Sequence, residues 1–154
     1  MANFSISSDT QPFRKPAIPK DATVLVVEDE EEVCQFACDA LTKKGYQVYA
    51  AKNGYEALKL IEKGFPRYDL VITDLVMPEL GGVEFAEQAK HLAPELNVIF
   101  VSGYVDKYVI SNDLFEEGIN FIQKPYSVAT LAGAVRKILD KPKSPNLSPP
   151  PGTK

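Results

Sequence analysis

Histidine is almost absent from this chain: His91 is the only one in 154 residues. It stands near the end of a helical pattern, shortly before Pro94, and reads as a surface residue, not as a catalytic base. Cysteine is equally sparse. Cys34 and Cys38 lie four apart inside an expected helix, and with no second pair they make only half of a cysteine zinc site, so they read as reduced cysteines that pack as small hydrophobes. No run approaches the ~18 apolar residues that a membrane span needs, and the first twenty residues lack the apolar core of a signal peptide. Membrane insertion is therefore not expected, and a cytoplasmic location is. Surplus positive charge is missing too. With 17 Lys and Arg against 21 Asp and Glu, the formal charge of −4 argues against direct nucleic-acid binding, which relies on clustered cations. A protein partner is the expectation.

What the chain does have is the composition of one globular domain, 45% hydrophobic and 25% charged. Eight of the 12 prolines fall in residues 1–20 and 141–154, so residues 1–21 read as a Pro-containing N-terminal tail or linker and 141–154 as a Pro-rich C-terminal tail. The folded domain is expected over residues 22–140.

Within it, short β-branched runs alternate with helical patterns. The strand candidates are TVLVVE (23–28), YQVYAA (46–51), DLVITD (69–74), NVIFVS (97–102) and INFIQ (119–123). From Glu30 to Lys44, the residues Val33, Phe36, Ala37, Ala40 and Leu41 form an inward stripe that stops at Gly45. Asn53 caps a second helix that turns Ala57, Leu58 and Ile61 inward and closes on Gly64. A third covers 82–92, a weaker one 105–116, and the last runs over 127–140 with Ser127 as its cap. Five strand and helix alternations imply an α/β fold, a flavodoxin-like doubly wound (βα)5 unit with a five-stranded parallel sheet covered on both faces. The nearly all-apolar early strands suit a sheet buried on both sides.

Ligands of open parallel sheets bind beyond the carboxyl ends of the strands, where the winding reverses. In strand order 2-1-3-4-5, that rule gathers Glu28 and Asp29 from strand 1, Asp74 from strand 3, Ser102 from strand 4 and Lys124 from strand 5. Singly, each has an ordinary explanation. Asp74 suits a turn before Pro78, Glu30 to Glu32 are acids favoured at a helix N-terminus, and Lys124 could be a solvated lysine. Together they suit phosphoryl transfer with Mg2+: clustered carboxylates repel unless a cation sits among them, and Mg2+ prefers hard oxygens. Asp74 would be the nucleophile, Lys124 would offset phosphoryl charge, and Ser102 would donate a hydrogen bond to a phosphoryl oxygen.

Glu28 and Asp29 after strand 1, DLVMP led by Asp74, Gly82 after that loop, Ser102 ending strand 4 and Lys124-Pro125 resemble, in order and spacing, the receiver domain of two-component response regulators. The resemblance implies that Asp74 is the phosphoacceptor and that Glu28, Asp29, Asp74 and the Val76 backbone carbonyl hold Mg2+. It implies that Lys124 pairs with the phosphoryl group, that Pro125 follows a cis peptide, and that Ser102 and Phe121 form a switch acting on the face of the fourth helix, fifth strand and fifth helix. Glu28 stands where the family often has Asp. Val76 and Tyr104, at positions that help set self-hydrolysis, are neither acid nor amide, so slow dephosphorylation is expected. The implied partners are a histidine kinase or a histidine phosphotransfer protein, with a homodimer possible on phosphorylation, and the implied catalysis is only of the domain's own phosphorylation and dephosphorylation.

VSGY (101–104) and FIQKPYSVATLAGAVRKIL (121–139) are most similar to receivers at the C-terminal ends of hybrid sensor histidine kinases. Only 14 residues follow Asp140, too few for a DNA-binding output domain, so a receiver acting alone or one belonging to a kinase is the expectation. An aspartate-nucleophile phosphatase or phosphotransferase on a similar sheet is the rival reading; such enzymes place a second acid two residues after the nucleophile, where this chain has Val76. A flavin carrier would need a phosphate loop after strand 1, where the acids of EDEEE would repel the phosphate.

Overall fold

The computed structural model describes residues 22–103 and 120–140. The two tails, Tyr104 and the helix expected over 105–116 lie outside the described residues. The described residues form five strands, β1 (Thr23–Val27), β2 (Gln47–Ala51), β3 (Leu70–Asp74), β4 (Asn97–Ser102) and β5 (Phe121–Gln123), and four helices, α1 (Glu31–Lys43), α2 (Gly54–Glu62), α3 (Gly82–Leu92) and α4 (Val128–Leu139). The strands form one parallel sheet in the order β2-β1-β3-β4-β5. The expected topology is therefore the observed one.

Burial explains the order. All five residues of β1 and of β3 are buried, and these central strands carry the near-continuous apolar runs of a sheet covered on both faces. One face packs Val24, Val26, Ile72 and Val101 beneath α1 and α4. On the other, Leu25, Val27 and Val71 pack with Phe85 of α3 and Ala57 of α2. Expectation and structure differ at β2, an edge strand in which four of five residues are not fully buried and Tyr49 is 41% exposed. Having one neighbouring strand, it does not need the all-apolar sequence of a central strand.

Local chemistry starts the helices where the sequence places them. Asn53 accepts a hydrogen bond from the Glu56 backbone N–H (2.8 Å), and Ser127 accepts one from that of Thr130 (3.1 Å), each supplying an acceptor to an otherwise unpaired helix donor. The stripe on α1 is narrower than its spacing predicts. Ala37, Ala40 and Leu41 are buried, but Phe36 is 42% exposed and instead meets the ring of Tyr126. His91 is exposed and its ring Nδ1 pairs with the Glu87 carbonyl oxygen (3.1 Å). No helix among the described residues is long and apolar enough to cross a membrane.

Candidate functional site

The candidate cluster grows from the middle of the sheet. Asp74 ends β3, which is hydrogen-bonded to β1 on one side and β4 on the other. The pairing to β4 continues past it, with Leu75 N–H donating to the Val101 carbonyl (2.9 Å), and the Thr73 hydroxyl donates to the Asp74 carbonyl (3.0 Å). A residue so anchored has little backbone freedom, so its side chain presents a fixed carboxylate that is only 5% exposed.

The loop after it is folded back tightly. Leu75, Met77 and Leu80 are buried while Val76 points to solvent, 69% exposed. Gly82 N–H donates to the Leu75 carbonyl (2.8 Å), bringing the start of α3 against the strand end. A side chain at Gly82 would strike the Asp74 carbonyl oxygen and stand 2.8 Å from the Leu75 Cα. Glycine here is a steric requirement.

Glu28 follows β1 directly, and its N–H bonds the Ala51 carbonyl (3.1 Å), which ties the acid to the β2 end. Its Oε2 accepts from the Glu30 backbone N–H (3.1 Å), fixing the carboxylate at the entrance to α1. Glu28, Asp29 and Asp74 each offer an oxygen, all within 4.8 Å of one another; Glu28 and Asp74 are buried and Asp29 is exposed. Lys124 comes from the far side of the sheet. Its N–H donates to the Ser102 carbonyl (2.8 Å), and its Nζ reaches Asp74 Oδ1 at 2.9 Å and Glu28 Oε1 at 3.1 Å. The Lys124-Pro125 peptide is cis.

The charges in this cluster do not balance. Were all three carboxyl groups ionised, one ammonium would leave two negative charges over, and Glu28 is the one that holds its proton more tightly. Burial first, and then the hydrogen bond to Asp74, push the Glu28 carboxyl up to about 7. Burial opposes the Lys124 charge, yet its hydrogen bonds and attraction to Asp74 and Glu28 outweigh that and raise its pKa. The donor set fits Mg2+: hard oxygens only, with a charge deficit that a divalent cation would cancel.

Ser102 is buried at the end of β4, in register with Gln123 next to Lys124. Phe121, on β5, is half-buried against Leu75, Ala86, Val98 and Phe100. The structure thus gathers Glu28, Asp29 and Asp74, bonds Lys124 to Glu28 and Asp74, and brings Ser102 to the neighbouring strand end.

The response regulator receiver domain family matches residues 24–136. The chain belongs to that family. It is 38% identical over 120 residues to the sensor kinase CckA of Brucella abortus (strain 2308), a match spanning 78% of this chain but only 13% of that kinase. It is 28% identical over 116 residues to the response regulator receiver protein CpdR of the same organism, covering 75% of this chain and 95% of that one. Among solved structures, the receiver domain from the hybrid histidine kinase CckA superposes with a TM-score of 0.65 at 34% identity, over 77% of this chain and 99% of that domain. A response regulator receiver domain protein from Clostridium thermocellum gives 0.69 at 27%, over 77% and 94%. The likeness to hybrid-kinase receivers expected from the sequence is thus met in both sequence and structure.

Sequence reasoning did not find the Glu30 N–H grip on Glu28, or the packing of the Tyr126 ring against Phe36. The first follows from a backbone turn. The second had a signal, an aromatic two residues after Lys124, since an aromatic at a helix entrance is ordinarily a packing residue.

Proposed function

We propose that this receiver takes a phosphoryl group from a phosphohistidine onto Asp74 and relays the change to a protein partner. One observation carries the reading: Lys124 reaches from β5 to bond Asp74 and Glu28 at once, with Asp29 alongside, so acceptor, cation and acids converge on one point. An Asp74 oxygen forms a bond to phosphorus as the P–N bond of the donor breaks, and the departing imidazole nitrogen takes up a proton. Lys124, already at 2.9 Å from Asp74, offsets charge on the transferring group. Glu28, Asp29, Asp74 and the Val76 carbonyl hold Mg2+, which when bound supplies the remaining positive charge.

The donor is a histidine kinase or histidine phosphotransfer protein, and the domain catalyses only its own phosphorylation and slow dephosphorylation. Val76 supports the slow step, because an exposed valine beside Asp74 offers no group to orient an attacking water. Ser102 and Phe121 carry the signal outward to the face of the helix expected over 105–116, β5 and α4, for partner binding or pairing with a second copy. Residues 1–21 and 141–154 serve as tails or linkers around the 22–140 unit.

The test is incubation with Mg2+ and acetyl phosphate, followed by intact mass. One added phosphoryl group on the parent and none on Asp74→Asn is expected. Equal gain in both would sink the assignment. Steady turnover of a separate phosphoester would favour an aspartate-nucleophile phosphatase.

A further inference from the structure

Two thiols on α1 take no part in the chemistry of the acidic cluster. Cys34 and Cys38 are free cysteines one helical turn apart, and their sulfurs lie 3.9 Å from each other, one thiol donating to the other. Both are half-buried against the core beneath α1 and α4, which leaves part of each side chain open to solvent. Helix positions four apart share a face, so the backbone of α1 holds the pair together. That spacing excludes one bond and suits another. A disulfide needs sulfurs ~2.05 Å and Cβ atoms ~3.8 Å apart, whereas Cβ atoms four apart on a helix stand ~5–6 Å apart, so direct oxidation would have to bend α1. A single atom inserted between the sulfurs removes that difficulty. Zinc, which bonds sulfur at ~2.3 Å with tetrahedral angles, holds two sulfurs ~3.8 Å apart, close to the separation seen here.

Zinc itself is not satisfied by this pair. It takes four ligands, and among the described residues the one group of three or more acid, cysteine or histidine side chains within ligand reach of each other is Glu28, Asp29 and Asp74. A charged bis-thiolate is disfavoured as well: burial first, then the neighbouring Cys34, pushes the Cys38 thiol up to about 12, and burial raises Cys34 too. The bridge that fits is a soft atom that two sulfurs complete and that leaves no charge behind. Trivalent arsenic carrying one organic group meets both conditions, because two of its three positions remain for sulfur. We propose that Cys34 and Cys38 form a binding site for mono-substituted trivalent arsenicals, with α1 holding the two thiols ready. Two As–O and two S–H bonds break, two As–S bonds form, and each thiol proton leaves with an arsenic-bound hydroxyl as water. Arsenic stays trivalent, so no oxidant or reductant takes part. The product is a neutral ring closed over one turn of α1, and nothing in it depends on Asp74.

The probe is phenylarsine oxide, added to the reduced full chain. Intact mass should show one adduct per chain with both thiols lost to a thiol-titrating reagent, and competition with a small dithiol gives the affinity. Cys34→Ala and Cys38→Ala each leave one thiol, and affinity should fall about a hundredfold, the advantage of making the second bond within one molecule. The double variant Cys38→Ala/Asp39→Cys keeps two thiols but sets them five residues apart, ~140° around the helix, and should bind about tenfold more weakly than the parent. Thermal melting of the parent gives a reading that needs no variant. A pair already held by the folded helix binds the probe more tightly than the unfolded chain does, so Tm should rise. Absence of a one-to-one adduct overturns the proposal, as does a single-thiol or displaced-pair variant that binds as tightly as the parent, or a Tm that stays or falls.

Discussion

Replacing Gly82 by alanine tests how Asp74 is held. A Cβ at this position meets the Asp74 carbonyl oxygen and stands 2.8 Å from the Leu75 Cα, both backbone atoms, so no side-chain rotation can relieve the clash. The start of α3 must then retreat from the end of β3, straining or breaking the 2.8 Å bond from Gly82 N–H to the Leu75 carbonyl. Overpacking of this kind costs ~1–3 kcal/mol, and the hydrogen bond adds ~1 kcal/mol. Higher helix propensity returns less than ~1 kcal/mol. A net loss of about 3 kcal/mol is expected, or a fall of roughly 12 °C in Tm for a domain of this size. Chemical denaturation of parent, Gly82→Ala and Gly81→Ala measures it. Gly81 is the control, because a Cβ there comes no closer than 3.7 Å to the Leu75 carbonyl oxygen, an ordinary contact. Gly82→Ala within about 0.5 kcal/mol of the parent would refute the clash and the rigid loop with it.

Lys124→Met removes the cation paired with two buried acids and should cost about 3 kcal/mol in metal-free buffer, with Mg2+ restoring part of it; denaturant titrations with and without Mg2+ check this, and an equally stable metal-free variant contradicts it. The Glu28 carboxyl, raised from the ordinary 4.5 to about 7, keeps a proton in the folded state that the unfolded chain releases. Metal-free stability should therefore fall as pH rises through this window and level off above it, by at most roughly 3 kcal/mol, whereas Glu28→Gln should flatten the profile. Asn53→Ala deletes the acceptor for the Glu56 N–H and should cost about 1 kcal/mol by thermal melting, with phosphorylation by acetyl phosphate little changed because Asn53 is not among the residues of the acidic cluster.

The strand ends were legible before any coordinates because they obey a local code. Apolar β-branched runs mark buried strands, and a polar residue that stops such a run at the carboxyl end falls in the crevice of a parallel sheet. Asp74 after LVIT and Ser102 after NVIFV could be placed in this way, as could the caps Asn53 and Ser127, whose partners lie three residues away. The outward turn of Phe36 and the exposure of β2 could not. Helical and strand periodicity give a face, but which part of that face is covered depends on neighbours far along the chain.

The sequence by itself determined the alternation of elements and the residues that stand at the strand ends, because propensity, periodicity and capping act over a few residues. Only the tertiary structure decided what those residues do to one another. Lys124 and Glu28 are 96 residues apart and meet at 3.1 Å because parallel register carries both to the same edge of the sheet. The raised pKa of Glu28, the need for glycine at 82 and the pairing of Tyr126 with Phe36 likewise arise only where distant segments meet. Desolvation, close approach and charge coupling belong to groups in space, and no spacing along the chain encodes them.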